Sequence, residues 1–189
     1  PIITYYNGGK EYPLARREML IKQLPGLKKK FVYFEPYSTA TVEQVFSSSD
    51  LQDATTYRVH TFQSTYFENQ GNGSFQIKPL PNEAQLAPTN QIVADDLNGD
   101  GRTDLLLVGN NYSSDVESGR YDASNGLCLL NDGKGGFEPV WSSRSGFLAN
   151  LDARDLCRLH LADGSDLYLV TNNNGRLLGF LHQGGKALQ

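Results

Sequence analysis

A glycine-rich turn that occurs twice, 62 residues apart, is the feature of this sequence that most restricts its fold. The segment from Asn69 to Phe75 reads Asn-Gln-Gly-Asn-Gly-Ser-Phe, and the segment from Asn131 to Phe137 reads Asn-Asp-Gly-Lys-Gly-Gly-Phe. Each lies between two short apolar or aromatic stretches, so each predicts a β-hairpin. Repetition at this period is typical of radial or stacked β structures, in which each unit buries one face against a neighbour.

An acidic loop that begins at Asp96 is the second constraint. Oxygen-bearing side chains stand at loop positions 1, 3, 5 and 9, and alternate residues of a turning backbone can direct their side chains towards one point. Gly101 at position 6 permits a sharp turn, and position 7 can offer its main-chain carbonyl. The spacing therefore predicts one Ca²⁺ ion. Its predicted ligands are Asp96, Asn98, Asp100, the carbonyl of Arg102, and Asp104.

Two other interpretations of this loop can be compared with the calcium site. A helix–loop–helix calcium motif needs an acidic residue at position 12, which is Leu107 here. The apolar run 105–108 has no helical polar face, so we expect strand–loop–strand. A metal-free turn is the second alternative, because Asn, Asp and Gly stabilise turns by local hydrogen bonds. The stretch from Asp95 to Asp104 holds four acids and one base, and their mutual repulsion favours a bound cation.

A later segment repeats the strands of this region without its acidic loop. Residues 153–156 and 162–173 correspond to the run 94–111, but Cys-Arg-Leu-His replaces the intervening acids. We expect this copy to fold as the equivalent strand pair and to bind no ion. Asp166 is then expected to have a turn or hydrogen-bonding role.

The run from Ile92 through the acidic loop to Asn110 resembles the calcium-binding FG-GAP/VCBS repeat. That repeat builds the β-propellers of integrin α-subunits and of many secreted bacterial proteins. The wider pattern includes the first glycine turn, residues 78–81 and residues 119–123. It resembles the C-terminal part of bacterial ASPIC-associated VCBS-repeat proteins. This resemblance implies an extracellular, periplasmic or cell-surface protein.

Residues 1–55 differ from the rest and predict an α-rich N-terminal segment. They begin with a hairpin that has an Asn7-Gly8 turn. A helix is predicted from Pro13 to about Leu24, where Pro-Gly follows as a stop signal. Two capping boxes predict further short helices, and they are Thr41 with Gln44 and Ser49 with Gln52.

Residues 56–189 are expected to form two or three blades of antiparallel sheet. A closed propeller needs at least four blades of four strands, so the chain predicts a mainly β fold with a partial β-propeller. It begins at Pro1 without an initiator Met or a signal peptide, and we expect it to be the C-terminal piece of a larger protein. Its exposed blade edges favour self-association.

Charge and motif content argue against several functional classes. A net charge of −4 and a pI near 5.3 disfavour nucleic acid as a partner, and Lys28–Lys30 is best explained as a solvated helix end. No apolar run is long enough for direct membrane insertion. His60, His160 and His182 have no zinc-ligand spacing. Neither a G-x-S-x-G elbow nor a phosphate-binding P-loop occurs, so no catalytic residue is predicted.

The two cysteines leave the redox environment open. Cys128 and Cys157 each lie in an apolar stretch. They could form a disulfide, or they could be free thiols, which are common in buried strands. The calcium loop is the better indicator of compartment, because such sites fill where free Ca²⁺ is near millimolar.

The favoured function is that of a non-catalytic, calcium-binding propeller segment that contacts a protein or a glycan. The alternatives are an accessory part of a secreted hydrolase or lyase, and an architectural end cap of a repeat array. The long loop 111–125 is the predicted binding surface, because binding residues concentrate on loops. Its candidate binding residues are Arg120, Tyr121 and Asp122. The alternative role for Arg120 is an ion pair, with Asp122 or a neighbouring blade, that orders the loop.

Overall fold

The computed structural model describes residues 2–116 and 118–182. Contacts divide the chain into two compact units, residues 1–60 and residues 61–189, and each is described by itself. The blades are expected to extend to residue 189, but residues 183–189 lie outside the described part of the chain. Among the described residues, no helix is long and apolar enough to cross a membrane.

The first unit opens with the predicted hairpin. Strand β1 (Thr4–Asn7) pairs with β2 (Lys10–Pro13), and Asn7 lies opposite Lys10. Gly8 and Gly9 form the connection with φ of 56° and 76°. A two-residue turn of this hand requires positive φ at both positions, which glycine adopts without steric cost. The hairpin prediction is confirmed.

Five short helices follow this hairpin. They surround a small core, and the cap of the fourth helix is the predicted pair of Thr41 and Gln44. The helices are α1 (Arg17–Gln23), α2 (Leu27–Lys30), α3 (Phe34–Ser38), α4 (Val42–Val45) and α5 (Ser48–Leu51). The buried core residues are Leu20, Phe31, Ala40, Val42, Val45 and Phe46.

Two predicted helix starts in this unit are wrong. The first helix does not begin at Pro13, because that residue is still paired with Thr4 in the hairpin. The last capping box does not use Ser49. Ser47 has the extended backbone of a cap, and its N–H donates to the carboxylate of Asp50 over 2.8 Å. A short run of serines offers several cap positions to sequence analysis, and the backbone conformation selects one.

The second unit consists of short antiparallel strands joined by loops. The strands are β3 (Thr65–Asn69), β4 (Phe75–Pro79), β5 (Thr89–Asp95), β6 (Asp104–Gly109), β7 (Leu127–Asn131), β8 (Phe137–Val140), β9 (Ala153–His160), β10 (Asp166–Asn172) and β11 (Leu178–His182). A 3₁₀ turn (Asn82–Gln85) precedes β5, and helix α6 (Ser142–Ser145) follows β8. The sheets are β3-β4, β5-β6-β7-β8 and β11-β10-β9. The predicted fold class, mainly β with a partial propeller, is confirmed.

The two glycine turns form hairpins with the same register. Asn69 lies opposite Phe75 in the first hairpin, and Asn131 lies opposite Phe137 in the second. The other three pairs of the β7–β8 hairpin match pairs of the β3–β4 hairpin position by position, and the β3–β4 hairpin has one additional pair, Thr65 with Pro79. The repeat inferred from the sequence is therefore also a repeat of strand pairing.

Strand β6 is buried on both of its faces. Leu106 and Val108 belong to a core that includes residues of β9 and β10, whereas Leu107 packs with Leu80 and Leu129 on the opposite face. Successive side chains of a strand point to opposite faces. An unbroken apolar run is thus expected where both faces are covered, and the predicted buried strand is confirmed.

Both cysteines are free thiols. Cys128 lies in the core beside β6, where burial and the nearby charge of Asp104 raise the pKa of its thiol to about 12. Cys157 is exposed on β9. The structure therefore favours the second of the two alternatives for these residues.

Candidate calcium loop and binding loop

The acidic loop is closed by main-chain hydrogen bonds to its first carboxylate. Asp96 Oδ1 accepts the N–H groups of Gly99 and Asp100 over 2.8 and 3.0 Å, and Oδ2 accepts the N–H of Gly101 over 2.8 Å. Gly99 and Gly101 have φ of 78° and 80°, a conformation that side chains rarely tolerate. The glycines thus allow the backbone to wrap around the Asp96 carboxylate.

Asn98 and Asp100 lie against each other on this turn. The Asn98 amide donates to Asp100 Oδ2 over 2.8 Å, and Arg102 N–H donates to Asp100 Oδ1 over 2.9 Å. The Arg102 guanidinium also pairs with Asp100 Oδ2. The Asn98 hydrogen bond, followed by the Arg102 contacts, lowers the pKa of Asp100 against the effect of desolvation. This carboxylate is therefore ionised at neutral pH.

Asp104 is fully buried and holds the loop to the neighbouring hairpin. Its Oδ2 accepts the N–H of Leu97 over 3.0 Å, and its Oδ1 accepts the N–H of Asn131 over 2.8 Å. Arg102 Nε donates to the carbonyl of Asn131 over 3.1 Å. The acidic loop and the second glycine turn thus form one connected structure. Sequence analysis missed Asn131 as part of this site.

The arrangement of these oxygens can be compared with what Ca²⁺ requires. Among residues 2–116 and 118–182, no three Asp, Glu, His or Cys side chains gather as a metal-binding group. Asp96, Asn98 and Asp100 share one turn, whereas Asp104 faces two main-chain N–H groups. The donor chemistry fits a hard cation, because Asp96 Oδ2 and both Asp104 oxygens accept one hydrogen bond each and a carboxylate oxygen has two lone pairs.

The second copy of the strand pair carries a network of charged side chains. Arg158 donates to Asp95 over 2.8 Å and to Asp166 over 2.9 Å, and His160 contacts Asp166 over 3.0 Å. The Tyr168 hydroxyl donates to Asp95 over 2.6 Å. Hydrogen bonds from Arg158 and then His160 lower the pKa of Asp166. The expected hydrogen-bonding role of Asp166 is confirmed, and the network joins β5 to β9 and β10.

The predicted binding loop is held by backbone pairing and by an aromatic contact. Asn111 and Tyr121 exchange main-chain hydrogen bonds of 2.7 and 3.0 Å. The Arg120 guanidinium lies 5.0 Å from the centre of the Tyr112 ring, and the Tyr112 hydroxyl donates to the Asn150 carbonyl over 3.0 Å. Arg120 thus contacts an aromatic ring within its own loop. Tyr121 and Asp122 present exposed side chains.

Comparison with known proteins identifies one repeat in this region. The sequence pattern of the FG-GAP repeat matches residues 89–126, which include β5, the acidic loop, β6 and the whole of the binding loop. Neither a curated protein nor a solved structure matches the chain. The repeat, together with the antiparallel sheets, fits a segment of β-propeller type.

Proposed function

We propose that this chain is a calcium-binding propeller segment of a larger secreted or cell-surface protein, which contacts a protein or a glycan. The observation that carries this proposal is the acidic loop inside the FG-GAP repeat, with its carboxylates held at a glycine-rich turn. The ion adds stability to the loop and to the hairpin joined to it. The exposed loop beyond β6 provides the contact surface.

Calcium binding is supported by the uncompensated charge of the loop. Arg102 pairs with Asp100, and Arg158 pairs with Asp95. The carboxylates of Asp96 and Asp104 accept main-chain N–H groups and form no ion pair with any described residue. A divalent ion supplies the missing positive charge. Asp96, Asn98, Asp100, the carbonyl of Arg102 and Asp104 would hold it, as the loop spacing predicts. A site with a Kd of about 0.1–1 mM fills outside the cytosol, which supports the extracellular, periplasmic or cell-surface location.

We expect Ca²⁺ to raise the melting temperature of the wild-type chain. For a Kd of about 0.1 mM, about 5 mM Ca²⁺ stabilises the folded state by about 2 kcal/mol, or roughly 4–8 °C in melting temperature. Mg²⁺ should produce a smaller shift, because it requires a tighter octahedral site. Differential scanning fluorimetry in EDTA, Mg²⁺ and Ca²⁺ measures both effects.

The matched control for this experiment is a substitution in the turn of the second strand pair, β9–β10. Asp96→Ala should abolish the calcium shift, whereas Asp163→Ala should retain it, because Asp163 lies in the turn between β9 and β10. Comparing the shift within each variant removes any change in baseline stability. Equal melting temperatures of the wild-type chain in EDTA and in Ca²⁺ would disprove the calcium site.

The contact surface is supported by what each residue of the binding loop does. Arg120 packs on Tyr112, and the backbone of Tyr121 is paired with Asn111. Contacts between residues of the loop therefore hold its conformation. The side chains of Tyr121 and Asp122 remain exposed. Aromatic side chains on ordered loops contribute strongly to binding, because little entropy is lost when they are covered.

We expect Tyr121→Ala to weaken partner binding at least about tenfold without lowering the melting temperature, as for a central interface tyrosine. Arg120→Ala should lower the melting temperature, because Tyr112 loses its cationic neighbour. Tyr57→Ala, at an 89% exposed tyrosine of the other unit, is the matched control. A panel of purified extracellular proteins and oligosaccharides supplies the ligands. If the Tyr121→Ala variant loses stability but keeps its affinity for the partner, the loop has a structural role only.

A further inference from the structure

A cavity of about 310 Å³ lies between helix α6 and strand β11. Its volume is at the lower end of the range of about 300–1,000 Å³ for small-molecule sites in proteins. The deep wall is formed by Leu106, Phe147 and Tyr168, which are between 2% and 3% exposed. Gly146 and Leu181 also line the cavity and are exposed, so the space is accessible from solvent.

His182 is the polar group that this cavity leaves without a partner. Its side chain is buried, at 9% exposure, and both ring nitrogens are buried without a hydrogen bond. Leaving a buried donor or acceptor unpaired costs free energy that a hydrogen bond would recover. His182 lies opposite Asp166 in the β10–β11 pairing, but the Asp166 carboxylate is engaged by Arg158 and His160.

The remaining walls are uncharged and mainly apolar, and their other buried polar side chain besides the Tyr168 hydroxyl is Ser145, whose hydroxyl accepts the N–H of Phe147. The rings of Phe147 and Phe180 lie 4.7 Å apart and are tilted by 56°, and the ring of Tyr168 lies 6.2 Å from that of His182. The Tyr168 hydroxyl already donates to Asp95. Among the described residues that line the cavity, none is Lys, Arg, Asp or Glu. A charged ligand would lose its hydration without gaining an ion pair.

We propose that this cavity binds a small neutral aromatic compound that carries a hydroxyl group, such as a phenol. The planar ring packs among Phe147, Phe180 and Tyr168, whose edges and faces suit another aromatic ring. The hydroxyl group pairs with a ring nitrogen of His182. A neutral imidazole has one donor nitrogen and one acceptor nitrogen, and a hydroxyl group can serve either. This site is separate from the acidic loop and does not depend on calcium.

The test compares two ligands of nearly the same shape, p-cresol and toluene. Titration calorimetry or ligand-observed NMR with the full chain should give a Kd for p-cresol about tenfold lower than that for toluene, which is the effect of one hydrogen bond to a buried group. His182→Phe keeps a ring of similar size but removes both nitrogens, so it should bind the two ligands with equal affinity. His60→Phe makes the same change at an exposed histidine of the other unit and should keep the tenfold preference.

A measurement on the wild-type chain makes the test independent of how the variant folds. With ¹⁵N-labelled histidine, p-cresol should shift the side-chain nitrogen signals of His182, whereas those of His60 and His160 should not move. Toluene should shift the His182 signals much less. Equal affinities of the wild-type chain for the two ligands, no saturable binding of p-cresol, or shifts confined to the other histidines would each overturn the proposal.

Discussion

Gly109→Ala should destabilise the blade unit by at least about 4 kcal/mol, which is at the upper end of the effects of single substitutions. A Cβ atom at this position would lie 1.7 Å from the carbonyl oxygen of Pro88 and 2.8 Å from its carbonyl carbon. Both are main-chain atoms, so no side-chain rotation relieves the clash. Moving the backbone at Gly109 away from Pro88 would break the 3.2 Å hydrogen bond from Asn110 N–H to that same oxygen, at the end of the β5–β6 ladder.

The fluorescence of Trp141, the single tryptophan of the chain, provides the measurement for this prediction, because that residue lies in the blade unit. A loss of about 4 kcal/mol corresponds to a fall of roughly 8–16 °C in melting temperature. Gly179→Ala is the matched control in strand β11, where a Cβ atom would meet only Leu167 and Leu169 side chains at 3.4 and 3.5 Å. We expect it to change stability by less than about 1 kcal/mol. Equal melting temperatures for the two variants would contradict the steric argument.

Local signals explain which parts of this fold the sequence predicts. The glycine turns at Gly71 and Gly133 adopt φ of 80° and 68°, and a turn with such a requirement is recognisable from residue type alone. The apolar run of β6 is equally local, because it depends only on whether the two faces of one strand are covered. For these reasons the sequence predicts the first hairpin, the repeated hairpins and the buried strand.

The residues missed by sequence analysis owe their roles to contacts between distant segments. Arg158 reaches Asp95 across 63 positions, and Asp104 reaches the backbone of Asn131 across 27. Residue type and spacing within one loop contain no information on such partners. Pro13 illustrates a different difficulty, because proline suits both the first turn of a helix and the end of an edge strand. Pairing with Thr4 decides between these two environments.

The acidic loop combines predictable and unpredictable elements. The sequence indicated a tight turn with oxygens at alternate positions, and the structure places Asp96, Asn98 and Asp100 on that turn. Asp104 also has a second role in the structure, because it accepts the main-chain N–H of Leu97 in the acidic loop and that of Asn131 at the end of β7. The same residue is thus a candidate calcium ligand and a structural joint. These two roles can be separated by experiment.

Asp104→Ala should lower the free energy of unfolding by about 3–4 kcal/mol even in EDTA, where calcium cannot contribute. The substitution removes the acceptor of the Leu97 and Asn131 N–H groups, and each donor left unpaired in a buried place costs about 1–3 kcal/mol. Asp104→Asn retains one acceptor oxygen and should lose about half as much. Chemical denaturation followed by Trp141 fluorescence measures both values.

Asp163→Ala provides the comparison that isolates burial. Asp163 also accepts a main-chain N–H, from Ser165 over 2.9 Å, but its side chain is exposed. Water can replace the lost acceptor there, so we expect a cost below about 1 kcal/mol. The two carboxylates thus differ mainly in their access to solvent. If Asp104→Ala costs no more than Asp163→Ala in EDTA, then Asp104 does not join the loop to the hairpin, and any effect of its substitution in Ca²⁺ must come from the ion alone.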